Sequence, residues 1–469
     1  MKSWLRLAIC GGLLASDVAL AQDAIPQHER ETERGIASVA ARAPLDAADE
    51  AALFVPLGST RVGYADVLAC PDDLDLSFRY ALGQVEDGQL TSAAATLERI
   101  LLLRPDFMRV RLLYAVVLYR LGSLPEAEQE FVRVGDAPGA ESQKPQVDAY
   151  LERIRRERRL TRTSFALTGG TQHDTNRNSG PESNETLFGD VLFDLSGDGR
   201  KASDGGWFSA ADLRVERDLG SQENHQLVAN ASYYHSQQDD LPSFDVQALH
   251  FELGLRQRRS AGEIYPRLVA DVVDLSRETY LRSTGVELTA QRALAPRLEL
   301  RGRGRLVHED FDAIPETASA SERSGLRTDV GATLGIALTA SQRIELSAAA
   351  VRKAAKESYQ AYQGYELGVS HLWLLPAGSF ALAQLNASRD EYFDAQDAMS
   401  NSRRRDFRAR GRLTCGTPLG SWLGGERFRA LRGVIVSVNA ELLLTDSNLP
   451  NYQFRNRRVG LSLSRRFDF

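Results

Sequence analysis

From Thr163 to the C-terminus, apolar and polar residues alternate in short runs. At the end of the chain Val459, Leu461, Leu463, Phe467 and Phe469 share one face, while Arg458, Gly460, Ser462, Ser464, Arg466 and Asp468 share the other; only Arg465 interrupts the apolar row. The run before it sets Val434, Val436, Val438, Ala440, Leu442 and Leu444 against Ser437, Asn439, Glu441 and Thr445. A period of two marks strands with one apolar and one wet face. About fourteen such runs begin near Thr163, Trp207, His225, Phe244, Ile264, Tyr280, Arg297, Gly325, Arg343, Tyr362, Phe380, Arg403, Gly433 and Arg457. That leaves roughly 22 residues for each strand and its connection, enough for antiparallel neighbours and too few for crossover helices. A sandwich would have to bury all the apolar faces inside. A closed membrane barrel turns every apolar face to lipid and every polar face to the lumen, and leaves no open edge.

The connections fit a barrel whose first strand starts in the periplasm. The even ones are short: Leu219 to Glu223, Arg259 to Gly262, Leu294 to Pro296, Ala340 to Gln342 and Leu375 to Gly378. The odd ones include the long stretches Asn176 to Gly205 and Asp312 to Glu322. Short periplasmic turns and long outer loops are the usual asymmetry of these barrels. Thr417 to Leu431 is an exceptionally long even connection, suited to fold against the N-terminal domain or to plug the lumen.

Between Leu74 and Val134 the period becomes helical and the segment repeats. Ala81 matches Ala115, Gly88 matches Gly122, Leu90 matches Leu124, Ala93 matches Ala127 and Leu97 matches Phe131, an interval of 34 residues throughout. Arg104-Pro105-Asp106 stops the second helix of the first unit where the next must begin. The pattern resembles the tetratricopeptide repeat, in which two antiparallel helices meet through small residues. Pro145 to Arg159 carries Val147, Tyr150, Leu151 and Ile154 at helical spacing and is expected to cap the two units; Arg153, Arg155, Arg156, Arg158 and Arg159 form its basic face. The first helix of each unit lines the concave surface of such stacks. The expected partner-binding residues are therefore Arg79, Tyr80, Arg111, Tyr114 and Leu118, with the two tyrosines equally suited to packing.

The N-terminus reads as an address. Residues 1–21 combine Lys2 and Arg6, an apolar stretch from Leu5 to Leu14 and a small-residue ending at Ala19-Leu20-Ala21, the layout of a secretory signal peptide. Residues 22–73 have few aromatics and no sustained period, as expected of a largely irregular leader. The expected domains are thus 1–21 signal peptide, 22–73 leader, 74–160 periplasmic helical domain and 163–469 barrel.

Composition narrows the chemistry. With 57 Lys+Arg against 63 Asp+Glu in 469 residues there is no basic excess to meet a nucleic acid. No run of about 20 apolar residues follows the N-terminus. Cys70 and Cys415 stand far apart in sequence with no metal-ligand spacing, and no P-loop, GxGxxG, GxSxG or HExxH occurs, so no metal, cofactor or enzyme activity is expected. His308-Glu309-Asp310, near the outer end of a strand, is the nearest approach to an acid–base cluster. Arginine supplies nearly all the positive charge, and two polar strand faces are rich in it: Arg301, Arg303 and Arg305 on one, Arg404, Arg408, Arg410 and Arg412 with Asp406 on another. On the lipid face each would cost about 2 to 4 kcal/mol. They are expected to line the pore, either as a network paired with acids such as Glu252, Glu287 and Asp329 or as an anion-favouring pathway.

Signal peptide, two tetratricopeptide-like units plus a helix, and a fourteen-strand barrel ending in an aromatic residue together resemble the surface lipoprotein assembly modulator family of Gram-negative outer membranes. Arg466-Phe467-Asp468-Phe469 is similar to the terminal signal recognised by the barrel assembly machinery. The fold class implied is an N-terminal helical domain in the periplasm followed by an antiparallel transmembrane β-barrel in contact with outer-membrane lipids. The function the resemblance implies is delivery of a client, a surface lipoprotein or a secreted ligand-binding protein, to the cell surface. Exopolysaccharide export porins also join such repeats to a barrel, typically with many more units, and a passive porin with a periplasmic repeat domain is a third alternative.

Overall fold

The computed structural model describes residues 62–469 except 140, 142, 158, 221–224, 260, 316, 422–430 and 432. The predicted signal peptide, most of the leader and the core of the 417–431 connection lie outside the described residues. The chain divides into two compact units that meet in sequence at Leu160 and Thr161.

The first unit is helical: α1 (Tyr64–Ala69), α2 (Leu74–Glu86), α3 (Leu90–Leu103), α4 (Met108–Arg120), α5 (Leu124–Gly135) and α6 (Lys144–Glu157). Asp73 caps α2 by accepting from the Leu76 N–H at 2.9 Å. Gly88 and Gly122, the matched glycines of the two units, both adopt positive φ (75° and 80°) in the turns inside each helix pair, where a side chain would be strained. The matched small residues Ala81, Ala115, Ala93 and Ala127 are all fully buried, which lets the helices approach closely. Phe78, Leu97, Ile100 and Val117 fill one core cluster, and Val116, Phe131, Val147 and Ile154 fill the other. Helix α6 closes the stack as expected: the Tyr150 ring stacks on Phe131 with centroids 4.7 Å apart.

The second unit is a closed antiparallel barrel of fourteen strands. In chain order these are β1 (Thr161–Asp174), β4 (Asp204–Asp218), β5 (His225–Gln238), β6 (Val246–Arg259), β7 (Gly262–Leu275), β8 (Glu278–Ala295), β9 (Leu298–Phe311), β10 (Gly325–Thr339), β11 (Gln342–Ala355), β12 (Tyr362–Leu374), β13 (Phe380–Tyr392), β14 (Arg405–Pro418), β15 (Val434–Ser447) and β16 (Phe454–Asp468). Every strand pairs with its chain neighbour, and β1 closes the ring on β16, with Ser164 opposite Asp468 and Asp174 opposite Arg458. The C-terminal Phe469 belongs to this seam, exchanging main-chain hydrogen bonds with Thr163. All strands exceed the nine to eleven residues, roughly, that a tilted strand needs to cross a bilayer.

The outward faces are apolar and open, as at Leu167, Leu268, Val330, Leu367, Leu385 and Val459. Exposed Trp207 and Phe407 stand toward the end with the long connections and Trp373 and Phe469 toward the short-turn end, in the manner of aromatic girdles.

Three features depart from the sequence expectation. The 176–205 connection holds its own hairpin, β2 (Glu185–Phe188) with β3 (Val191–Asp194). Not every odd connection is long: β7 and β8 are joined by Ser276 and Arg277 alone, both at positive φ, the conformation of a tight hairpin turn. And the inner wall is not polar throughout. At the long-connection ends of β6 to β9, Val246, Ala248, Val273, Leu275, Tyr280 and Phe311 pack with Ile314 and Ala320 into a buried apolar cluster.

Candidate functional site

The inner surface of the barrel is built from ion pairs set by strand register. On β9 the alternation points Arg301, Arg303 and Arg305 inward. Pairing with β8 places Glu287 opposite Arg305 and two residues from the partner of Arg303. Glu287 is fully buried and accepts from Arg303 Nε at 2.8 Å and from Arg267. Arg305 lies 3.4 Å from Asp271, and Arg301 3.5 Å from Glu299. On β14 the same alternation points Arg408, Arg410 and Arg412 inward. Glu441 on β15 stands opposite Arg412 and takes both Arg412 (2.6 Å) and Arg410 (2.9 Å), while Arg408 pairs with Asp390. Arg404, just before β14, pairs with Asp406 at 2.5 Å, its guanidinium 3.3 Å from the Tyr452 ring centroid. The other expected acids are also engaged: Glu252 faces Arg267 at 3.8 Å, and Asp329 pairs with Arg327 at 3.0 Å.

Lys353 on β11 forms a buried pair with Glu309 at 2.7 Å. That contact separates the members of the His308-Glu309-Asp310 cluster. Glu309 points inward, whereas His308 and Asp310 are exposed on the opposite face of the strand. The three side chains do not converge.

The long-connection end carries a tie that sequence reasoning missed. Arg177 donates to the Phe244 carbonyl at 2.8 Å, reaching the β5–β6 connection. The hairpin turn reaches another, with Gly189 and Asp190 N–H donating to the Ala398 and Met399 carbonyls at 3.0 and 3.1 Å. Leu187 reaches a third, its N–H donating to Asn451 Oδ1 at 2.7 Å while its side chain packs on the cluster of Met399, Leu449 and Tyr452. The first long connection is thereby fastened to three others.

In the helical unit the five expected partner-binding residues divide. Leu118 is core, and Arg111 is buried, its guanidinium held by Glu130 at 2.5 Å and by the Pro105 carbonyl; neither is offered to a partner. Tyr114 is half-buried between the two core clusters. Burial, then the carboxylates of Glu98, Glu130 and Glu126, push its phenol above the ordinary value, so it remains a hydrogen-bond donor. Arg79 and Tyr80 keep part of their surface, and Tyr80 packs against Tyr64 with ring centroids 6.1 Å apart. In α6, Arg155 is exposed, and the side chains of Arg156 and Arg158 lie outside the described residues.

Residues 84–142 match the tetratricopeptide repeat family. The match spans the end of α2 through α5 and agrees with the 34-residue interval. No curated protein matches the chain. Among solved structures the chain is similar to Pseudomonas aeruginosa OpdQ, with 8% identity over 66% of this chain and 100% of that one at a TM-score of 0.33. It is similar also to Acinetobacter baumannii OccAB3 (9%, 66% and 99%, TM-score 0.33) and to the outer membrane protein opdK of Pseudomonas aeruginosa (8%, 66% and 99%, TM-score 0.30). Each unit thus offers its own candidate: the helical unit Arg79 and Tyr80 on α2, and the barrel an inner wall lined by paired arginines.

Proposed function

We propose that the chain is an outer-membrane translocator, whose tetratricopeptide pair engages a client in the periplasm and whose barrel delivers it to the cell surface. The observation that carries this reading is the junction. Helix α6 ends at Glu157 and β1 begins at Thr161, at the end of the barrel where the short turns lie. Short turns face the periplasm in outer-membrane barrels. Such repeats present a concave face to partners, and only a few residues of chain separate the last helix from the first strand. The client is a surface lipoprotein or a secreted protein, in keeping with the family that the sequence resembles.

Deleting the gene tests it. Loss of a protease-accessible lipoprotein or secreted protein from the surface, restored by the full chain and not by the barrel alone, is the expected outcome. Unchanged surface proteins with loss of exported polysaccharide would replace this reading with a polysaccharide porin. A second reading, a passive porin, is favoured by one observation: two rows of the inner wall between β9 and β14 carry mostly small residues, among them Gly331, Ala349, Ser347 and Gly368. Unchanged surface proteins and polysaccharide with reduced solute uptake would establish it.

A further inference from the structure

The two arginine columns lie in the same hydrogen-bonded rows of the barrel. One row runs Arg303, Gly331, Ala349, Glu366, Ser388, Arg408 across β9 to β14. The next runs Arg301, Thr333, Ser347, Gly368, Asn386, Arg410. Two columns of guanidinium groups thus flank four strands whose inward residues in these two rows are mostly small, with only Glu366 and Asn386 longer.

The ion pairs on either side of these strands are not symmetric in depth. Arg303 leaves 43% of its side chain accessible, whereas its partner Glu287 is wholly buried. Arg408 leaves 32% accessible and its partner Asp390 only 3%. Arg410 and Arg412 likewise cover Glu441. Glycine makes one of these recesses possible: a Cβ on Gly364 would stand 2.2 Å from Asp390 Oδ1, so the carboxylate lies flat against the wall and Arg408 closes over it. At Glu287, Asp390 and Glu441 the acid is recessed and the base lies nearer the water. A passing ion responds to the charge that faces it, since recessed carboxylates are shielded by the cations above them. Two acids depart from this: Glu366 is 49% accessible, 3.6 Å from Arg327, and Glu299 is 26% accessible against 19% for Arg301.

We propose that the space between β9 and β14 is a pathway for small anions, selected by the water-facing guanidinium groups of Arg303 and Arg408, which share one row across the strands. It goes beyond the translocator reading and requires only that the barrel span a membrane.

The test uses the full-length protein, with heat-modified migration establishing a folded barrel, in planar phosphatidylcholine bilayers under a KCl gradient. The reversal potential is expected on the chloride side. Arg303→Gln with Arg408→Gln should lower the chloride-to-potassium permeability ratio roughly threefold or more, the scale of unit charges acting through water. The double substitution to Lys should preserve the ratio, and Glu366→Gln should raise it. Cation preference in the unaltered protein, an unchanged ratio in the folded Gln double variant, or a heat-modifiable barrel that passes no current would each overturn the proposal. None of these outcomes bears on surface display of a client, so the two readings fail separately.

Discussion

Leu97 and Leu268 each occupy the middle of a regular element, and they face opposite surroundings. Leu97 in α3 is wholly enclosed by Phe78, Ile100, Val117 and their neighbours. Leu268 in β7 leaves most of its surface open on the outer wall, while its neighbours Arg267 and Val269 are the buried ones. The helical unit is an ordinary water-soluble core in which burial of side chains drives folding. The barrel reverses the arrangement: charged groups are interior, and the open apolar face awaits lipid. Each difference between the two predicts a different response to the same kind of substitution.

The largest effect is expected in the helical core. Phe131→Ala removes the ring that stacks on Tyr150 and should cost about 3 to 5 kcal/mol. It should be read as earlier loss of helical circular dichroism in urea, with heat-modified migration of the barrel unchanged. Joint loss of both signals would show that the two units do not unfold independently.

The sharper contrast comes from placing a charge on an exposed leucine in each region. Leu268→Arg should cost about 2 to 4 kcal/mol, because the charge enters the middle of the apolar wall. Leu102 on α3 is even more exposed, and Leu102→Arg should fall within about 0.5 kcal/mol of neutral. Folding yield into detergent micelles or vesicles checks the first, and urea unfolding of the helices checks the second. Equal tolerance at both positions would mean that the outer wall does not face lipid.

Much of this comparison was legible in the sequence, for a physical reason. Fourteen long strands repeat a period of two often enough that Thr163, His225, Gly325, Tyr362 and Phe380 each fall within a few residues of an observed strand start. The tetratricopeptide pair announced itself through Gly88 and Gly122, whose spacing records a turn only glycine makes easily. What escaped was local or collective. The strands Glu185–Phe188 and Val191–Asp194 are four residues each, too short to establish a period. The apolar cluster around Tyr280 reverses the expected inward polarity, and a register shift between Val273 and Asp274 lies beside it. The arginine columns were visible, but the depth of their partners depends on registers across six strands. Arg111 and Leu118 carried the right helix phase for a partner surface, yet burial is decided by the neighbouring helices.

A smaller perturbation separates the interior of the barrel from that of the helical unit. Gly364→Ala would add one methyl group where Asp390 now lies, with an overpacking cost of about 1 to 3 kcal/mol. Gly83 in α2 has open space around the corresponding position, and Gly83→Ala should instead stabilise its helix by roughly 1 kcal/mol. A lowered temperature of heat-modified migration for the first, beside raised helix stability for the second, is the expected pair.

The smallest effect concerns the outer hairpin. Asp190 accepts a hydrogen bond from the Ser400 hydroxyl and others from Asn401, and these hold its carboxyl below the usual carboxylate range. A carboxylate whose folded pKa is depressed contributes above the unfolded value, and the contribution is lost as pH falls through the folded one. The tie between the hairpin turn and residues 398–401 should therefore hold at neutral pH and loosen only under acid. Hydrogen exchange of the Gly189 and Asp190 amides, which donate to the Ala398 and Met399 carbonyls, reports this directly. After correction for the intrinsic pH dependence of exchange, their protection should fall on acidification, while strand amides of β12 keep theirs. Asp190→Asn, which cannot ionise, should remove the pH dependence; if it persists in that variant, the tie is governed by another group.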